Sequence, residues 1–185
     1  MSEQRTDQHE GGPVAFMSQM VSLDYKIVTS PVHRRFDEQM REGRIVGHEC
    51  PSCSKVFVPP KGFCPLCCVV TTEANEKSIS DIGVVTSFTV ITPIQYRGQQ
   101  ERDEYVLANL LLDGADSTVG QQRIGGIDNN KVRMGMRVKA VWASPDVKDE
   151  EGGGMRGWGL GAMVQYWEPS GEPDASSESY QEHIL

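Results

Sequence analysis

The chain has 185 residues, enough for one medium domain or a small domain with an appendage and too few for a large two-domain enzyme. With 38% hydrophobic and 24% charged residues it is a globular protein with a modest core; a net charge of -8 excludes general binding to nucleic-acid backbones or anionic lipid unless the basic residues are segregated. No run approaches the roughly 18 to 20 apolar residues of a membrane-spanning helix, since the least polar stretch, Ile82 to Tyr96, is broken by Thr86, Ser87, Thr89, Thr92 and Pro93.

Residues 1–29 form a polar leader, broken at Gly11, Gly12 and Pro13, with little apolar surface to bury, so it is expected to be flexible until a partner orders it. Its first residues, MSEQRTDQHEGGP, lack the basic-then-apolar order of a secretory signal, which makes the cytoplasm the expected location. Residues 30–45 carry helix punctuation. Ser30 can cap, Pro31 suits the first helical position and Gly43 the C-terminal stop. Val32, Phe36 and Met40 recur every four residues and draw one apolar stripe along this helix.

Residues 46–72 hold all five cysteines, four of them in two pairs. Cys50-Pro51-Ser52-Cys53 and Cys64-Pro65-Leu66-Cys67 are two C-x2-C pairs separated by ten residues, long enough for a hairpin that brings two tight turns together. Paired turns of this kind deliver four thiolates tetrahedrally to one ion, and in a reducing compartment they point to metal rather than disulfides. A four-thiolate site leaves no position open for water or substrate, so the expected role is structural zinc. Iron in a rubredoxin-like site would use the same ligands, and ligand type alone does not exclude it. Cys68 is a spare thiol, and His48 is near enough in sequence to stand in for a cysteine. Ser54 and Cys68 follow the two pairs at positions where a turn of this kind often uses glycine to reach positive φ.

From residue 73 to 168 the pattern is β-rich. Gly83 to Ile91 and Tyr105 to Leu112 are dense in β-branched and apolar residues, and the Asp113-Gly114 turn signal predicts a hairpin around 113–116. Met136, Val138, Ala140 and Trp142 alternate with Arg137, Lys139 and Val141; Trp158, Leu160, Ala162, Val164 and Tyr166 alternate likewise, across a charged glycine-rich loop. About five strands in roughly 90 residues suit a small closed barrel of the OB type. Residues 169–185 have the composition of a disordered tail. The fold class expected is therefore mainly β: an N-terminal helix, a rubredoxin-like ribbon and an OB-type barrel between mobile ends.

No catalytic set assembles. His9 and His183 fall in the tails, and His33 lies among arginines on the helix. Gly157, Gly159 and Gly161 sit in a β pattern with no following helix to receive a phosphate, so they read as bend glycines. His33, Arg34, Arg35, Arg41 and Arg44, with Lys61 as a further candidate, form a basic group suited to phosphates or to an acidic partner rim.

The succession FDEQMREGRIVGHECPSCSKVFVPPKGFCPLC, GVVTSFTVI, YVLANLLLDG, GGID and VRMGMRVKAVW resembles the zinc-ribbon/OB-fold family of acyl-CoA-associated proteins that accompany thiolase-like enzymes. The likeness spans about Val32 to Trp167, and its most specific part is the series of motifs C-x-x-C, V-F-V-P-P-K, C-P-x-C and G-x-V-x-S-F-T-V. It implies a noncatalytic small subunit that packs beside a thiolase-like partner, stabilises it and shapes an acyl-CoA channel, the coenzyme A ester being bound mainly by the partner. Expected contacts are Val32, Arg34, Arg35, Phe36, Met40, Lys61 and Phe63, with the leader around Met20 to Val28. MVSLDYKIV is similar to small subunits of thiolases in anaerobic aromatic degradation, which act on a benzoylsuccinyl-CoA type of substrate. Two other classes share the same parts: a single-stranded nucleic-acid module, opposed by the net charge, and an iron electron carrier.

Overall fold

A computed structural model of the protein describes residues 28–93, 103–143 and 163–184, together with Val21. The leader up to Ile27 apart from Val21, the segment 144–162 with its glycines and Trp158, Leu160 and Ala162, and His9 lie outside the described residues.

Helix α1 runs Pro31–Arg41 as its punctuation predicts: the Ser30 side chain accepts from the backbone N–H of His33, Pro31 opens the helix, and Gly43 follows it at φ 78°. Three strands, β1 (Ile45–Glu49), β2 (Val56–Phe57) and β3 (Glu76–Ile79), form a sheet in the order β2-β1-β3, with both pairings antiparallel. Phe36 and Met40 of α1 join Ile45, Val46, Val56, Val58 and Ile79 of this region in one hydrophobic core that continues into the barrel. The helical stripe thus covers the protein's own ribbon.

Five strands close the barrel: β4 (Ile82–Ile91), β5 (Tyr105–Leu112), β6 (Thr118–Ile124), β7 (Arg137–Trp142) and β8 (Val164–Pro169). Their order is β4-β5-β6-β8-β7, and β7 returns to pair with β4; all pairings are antiparallel except β6 with β8. Strict alternation along β5 buries Val106, Ala108, Leu110 and Leu112. The barrel begins at Ile82 rather than at residue 73, because the residues of β3 pair with β1 in the ribbon sheet.

Two differences from the sequence reading have physical causes. Along β8 the register shifts opposite Val141 and Trp142, so Trp167 is fully buried while Tyr166 is half-buried. A bulge of this kind resets which residues face inward. The Trp167 indole N–H donates to Gln122 Oε1 at 3.1 Å. Residues 170–184, read as a disordered tail, pack on the barrel. Ala175 N–H donates to Gly135 O at 2.8 Å, two short 3-10 turns follow, and Tyr180 is buried.

Among the described residues, no helix is long and apolar enough to cross a membrane.

Candidate metal centre

Each cysteine pair sits in the same backbone turn. Cys50 N–H donates to Lys55 O and Ser54 N–H to Cys50 O, both at 2.8 Å; Cys64 N–H donates to Val69 O at 2.8 Å and Cys68 N–H to Cys64 O at 2.9 Å. Backbone donors also aim at sulfur, Ser52 N–H at Cys50 Sγ and Cys67 N–H at Cys64 Sγ, both at 3.4 Å. Ser54 and Cys68 adopt φ of 58° and 55°, the positive values expected of residues following the pairs.

The sulfurs of Cys50, Cys53, Cys64 and Cys67 all lie within 4.8 Å of one another, and Cys53 and Cys64 are 3.8 Å apart. A tetrahedron with metal–sulfur bonds of about 2.3 Å has sulfur–sulfur edges of about 3.8 Å, so the cluster is close to the size of a zinc ion's shell. Charge supports the same reading. The Cys50 thiol is held down to about 7 chiefly by the backbone N–H of Cys53. Cys53 has the backbone N–H of Lys55 in its favour, yet loss of water and the sulfurs of Cys67, Cys50 and Cys64 push it up to about 12. Four thiols this close cannot all ionise unaided, and a divalent cation supplies the compensation. The donor set therefore supports structural zinc.

His48 is not part of this shell. It is buried on β1 with Nδ1 2.9 Å from Thr71 Oγ1, and burial holds its pKa below the ordinary value. Cys68 is exposed, outside the cluster.

The remaining expected contact residues separate into two groups. Phe36 and Met40 are core residues, because a stripe repeating every four positions lies along the helix face that meets the ribbon. Arg35 is committed within the protein: its guanidinium donates to both carboxylate oxygens of Glu76, at 2.8 and 3.0 Å. Phe36 and Met40 therefore face inward rather than outward, whereas Arg35, though ion-paired, keeps 43% of its side chain exposed. Arg34, Lys61 and Phe63 remain exposed, and Val32 is half-buried beside Gly62. Around the second knuckle Phe63, Leu66 and Val70 form an apolar surface, Phe63 and Val70 being bridged as strand partners.

Sequence reasoning missed Asp116 and Ser117. Asp116 Oδ2 accepts from Val56 N–H and Ser117 Oγ from Val58 N–H, both at 2.9 Å, while Lys55 Nζ reaches Asp116 Oδ1 at 2.9 Å. These residues end the β5–β6 turn and fasten the ribbon to the barrel. The sole signal in the sequence was the Asp113-Gly114 turn, which says nothing of a partner about sixty positions away.

Residues 38–67 match the family described as ChsH2, rubredoxin-like zinc ribbon domain. Among solved structures, the Ltp2-ChsH2(DUF35) aldolase aligns over 78% of this chain and 99% of its own, with 18% identity and a TM-score of 0.55. A Sulfolobus solfataricus protein of unknown function from the DUF35 family aligns over 61% of this chain and 79% of its own, with 23% identity and a TM-score of 0.50. No curated protein matches the sequence. At these identities the structural likeness shows the fold alone: residues 38–67 are similar to the ChsH2 rubredoxin-like zinc ribbon, and the ribbon joined to a barrel is an architecture similar to that of the DUF35 structures.

Proposed function

We propose that the protein is the noncatalytic zinc-binding subunit of a thiolase complex, in which the partner cleaves a β-keto acyl-CoA with coenzyme A and this subunit stabilises the partner and borders its acyl-CoA channel. The single observation that carries the reading is the ChsH2-type ribbon at residues 38–67, supported by the fold likeness to an assembly named for two components, Ltp2 and ChsH2. A closed four-thiolate site has no position for substrate, which suits an accessory role. The apolar knuckle surface of Phe63, Leu66 and Val70, with Lys61, Arg34 and Val32 near it in sequence or on α1, is the contact region in this proposal. An exposed apolar patch of this kind, in a protein that has already buried its helix stripe, suits the core of an interface. The similarity of MVSLDYKIV to subunits from anaerobic aromatic degradation makes a benzoylsuccinyl-CoA type of ester the substrate to assay first.

The name of the Ltp2-ChsH2 aldolase favours a second reading of the partner's chemistry, aldol rather than thiolytic cleavage of a carbon–carbon bond. Products separate the two: thiolysis consumes coenzyme A and yields two thioesters, whereas aldol cleavage consumes none and yields one carbonyl compound and one thioester.

The protein is to be coexpressed with its candidate partner, purified through one tag and identified by mass spectrometry, then assayed alone and as the pair. The pair should turn over and the single subunit should not. Phe63→Asp should weaken the complex while leaving zinc content and the thermal midpoint of the single subunit unchanged. Turnover by the single subunit, or full turnover by the partner without it, ends the subunit reading.

A further inference from the structure

A second site lies on the barrel, away from the ribbon. A pocket of about 480 Å³ is lined by Glu104 just before β5 and Tyr105 at its start, Arg123 at the end of β6, Gly125, Gly126 and Asn129 of the segment that follows, and Tyr166 on β8. That volume is within the range of small-molecule sites.

Two planar surfaces face this space. The Arg123 guanidinium stands 5.0 Å from the centroid of the Tyr105 ring, a flat cation laid over a flat ring. Tyr166 lies against the backbone of Gly125, where a Cβ would fall 2.6 Å from the ring's Cδ2; only the missing side chain lets the ring settle there. Tyrosine rings are surfaces on which bases stack, and a guanidinium donates from the edge of its own plane to a base lying in that plane.

The edge chemistry is more selective. Arg123 and Glu104 carry opposite charge and line the same pocket, yet no ion pair within 4.0 Å joins them, nor does either make one with another of the described residues. Glu104 is tied at both ends: its Oε1 accepts from the Thr92 hydroxyl at 2.9 Å, and its carbonyl from the Asn129 side-chain amide at 3.0 Å. Both side chains are exposed to solvent, and a ligand that engages the two together needs two acceptors on one edge and donors on another.

We propose that this pocket binds a guanine base, as the nucleoside or a mononucleotide. Guanine offers N7 and O6 to a guanidinium, and its N1–H and N2 amino group to a carboxylate. Adenine places a donor beside N7 and has no N1–H, so it matches neither charged group as well. A simple aromatic carboxylate would engage Arg123 but face Glu104 unfavourably. The net charge of -8 favours a single nucleoside or nucleotide over a strand. The proposal does not depend on the subunit reading.

The test uses the full-length protein, labelled with ¹⁵N and titrated with guanosine, adenosine and benzoate while the amides of Gly125, Gly126 and Tyr166 are followed. Guanosine should give saturable shifts there and bind about tenfold tighter than adenosine. Arg123→Gln should lower guanosine affinity about tenfold, and Glu104→Gln should erase most of the preference over adenosine. Both substitutions are at exposed positions, and a dispersed spectrum certifies the fold of each variant. Three results overturn the proposal: guanosine gives no saturable shifts, adenosine or benzoate binds as tightly as guanosine, or Arg123→Gln leaves the affinity unchanged.

Discussion

Among single residues, the two that follow the cysteine pairs separate what the metal needs from what the backbone needs. Ser54 and Cys68 are held at positive φ, a conformation that costs an L-residue about 1 to 2 kcal/mol, and Cys68 sits outside the sulfur cluster. Glycine at position 68 relieves that cost but loosens the unfolded protein by a comparable amount. Cys68→Gly should therefore keep one zinc per molecule and shift stability by less than about 1 kcal/mol, read by elemental analysis and denaturant melts. Cys50→Ala is the opposite case. It removes one of four ligands from a site whose binding energy is folding energy, about 10 to 16 kcal/mol for structural zinc near neutral pH. Metal should be lost and the amides of residues 46–72 should exchange freely with solvent; loss of metal from the Cys68 variant instead would reassign the ligand set. The ligands and the two strained positions were legible because chelation demands a fixed spacing and the turns demand a fixed φ. His48 was ambiguous because sequence distance does not say where an imidazole turns, and only its hydrogen bond to Thr71 does.

Between elements, contacts that join residues far apart in the sequence hold helix, ribbon and barrel in register, among them those of Asp116 and of Arg35 with Glu76. Asp116 gives a carboxylate to the Val56 N–H of β2 as well as to Lys55. A hydrogen bond to a charged group contributes about 1.5 to 3 kcal/mol, so Asp116→Ala should destabilise the fold by about 2 kcal/mol, with zinc retained because no sulfur is touched. The Arg35–Glu76 pair ties α1 to β3, and the guanidinium's hydrogen bonds hold the Glu76 carboxyl below its ordinary pKa. A carboxylate lowered in the folded state adds stability above its unfolded pKa, near 4.3 to 4.5, and loses that contribution as the pH falls through the folded value. Glu76→Gln should accordingly lower the urea midpoint at pH 7 and match the native protein in strong acid; an equal deficit at both pH values would mean the side chain acts by packing alone. Helix α1 was legible to within a few residues at each end because Ser30, Pro31 and Gly43 act locally. The inward turn of Trp167 was not, since its phase is reset by a bulge opposite Val141 and Trp142, and a bulge leaves no mark in the alternation of either strand taken singly.

For the whole molecule, the C-terminal segment 170–184 shows why composition misleads. Ser, Glu, Asp and Pro dominate residues 169–185, which is the make-up of a solvated tail, yet one apolar anchor decides its fate. Tyr180 is buried next to Gly135, while Arg133 pairs with Asp174, and Arg137 with Glu172 and Asp113. Magnitudes separate the contributions. Asp174 and Glu172 keep 40% and 48% of their side chains exposed, and pairs so open to solvent are worth about 0 to 1 kcal/mol each and are weakened by salt. Arg137 also keeps Asp113 if Glu172 is lost. A mostly buried tyrosine contributes about 2 kcal/mol or more, insensitive to salt. Tyr180→Ala should therefore release residues 170–184 to rapid amide exchange and proteolysis, whereas Glu172→Ala and Asp174→Ala, singly or together, should leave them protected. Raising the salt to about 1 M, where the screening length falls to about 3 Å, should not free the segment in the native protein. Release by salt alone, or by the two acidic substitutions, would show that charge rather than the buried ring fastens the C-terminal segment to the barrel.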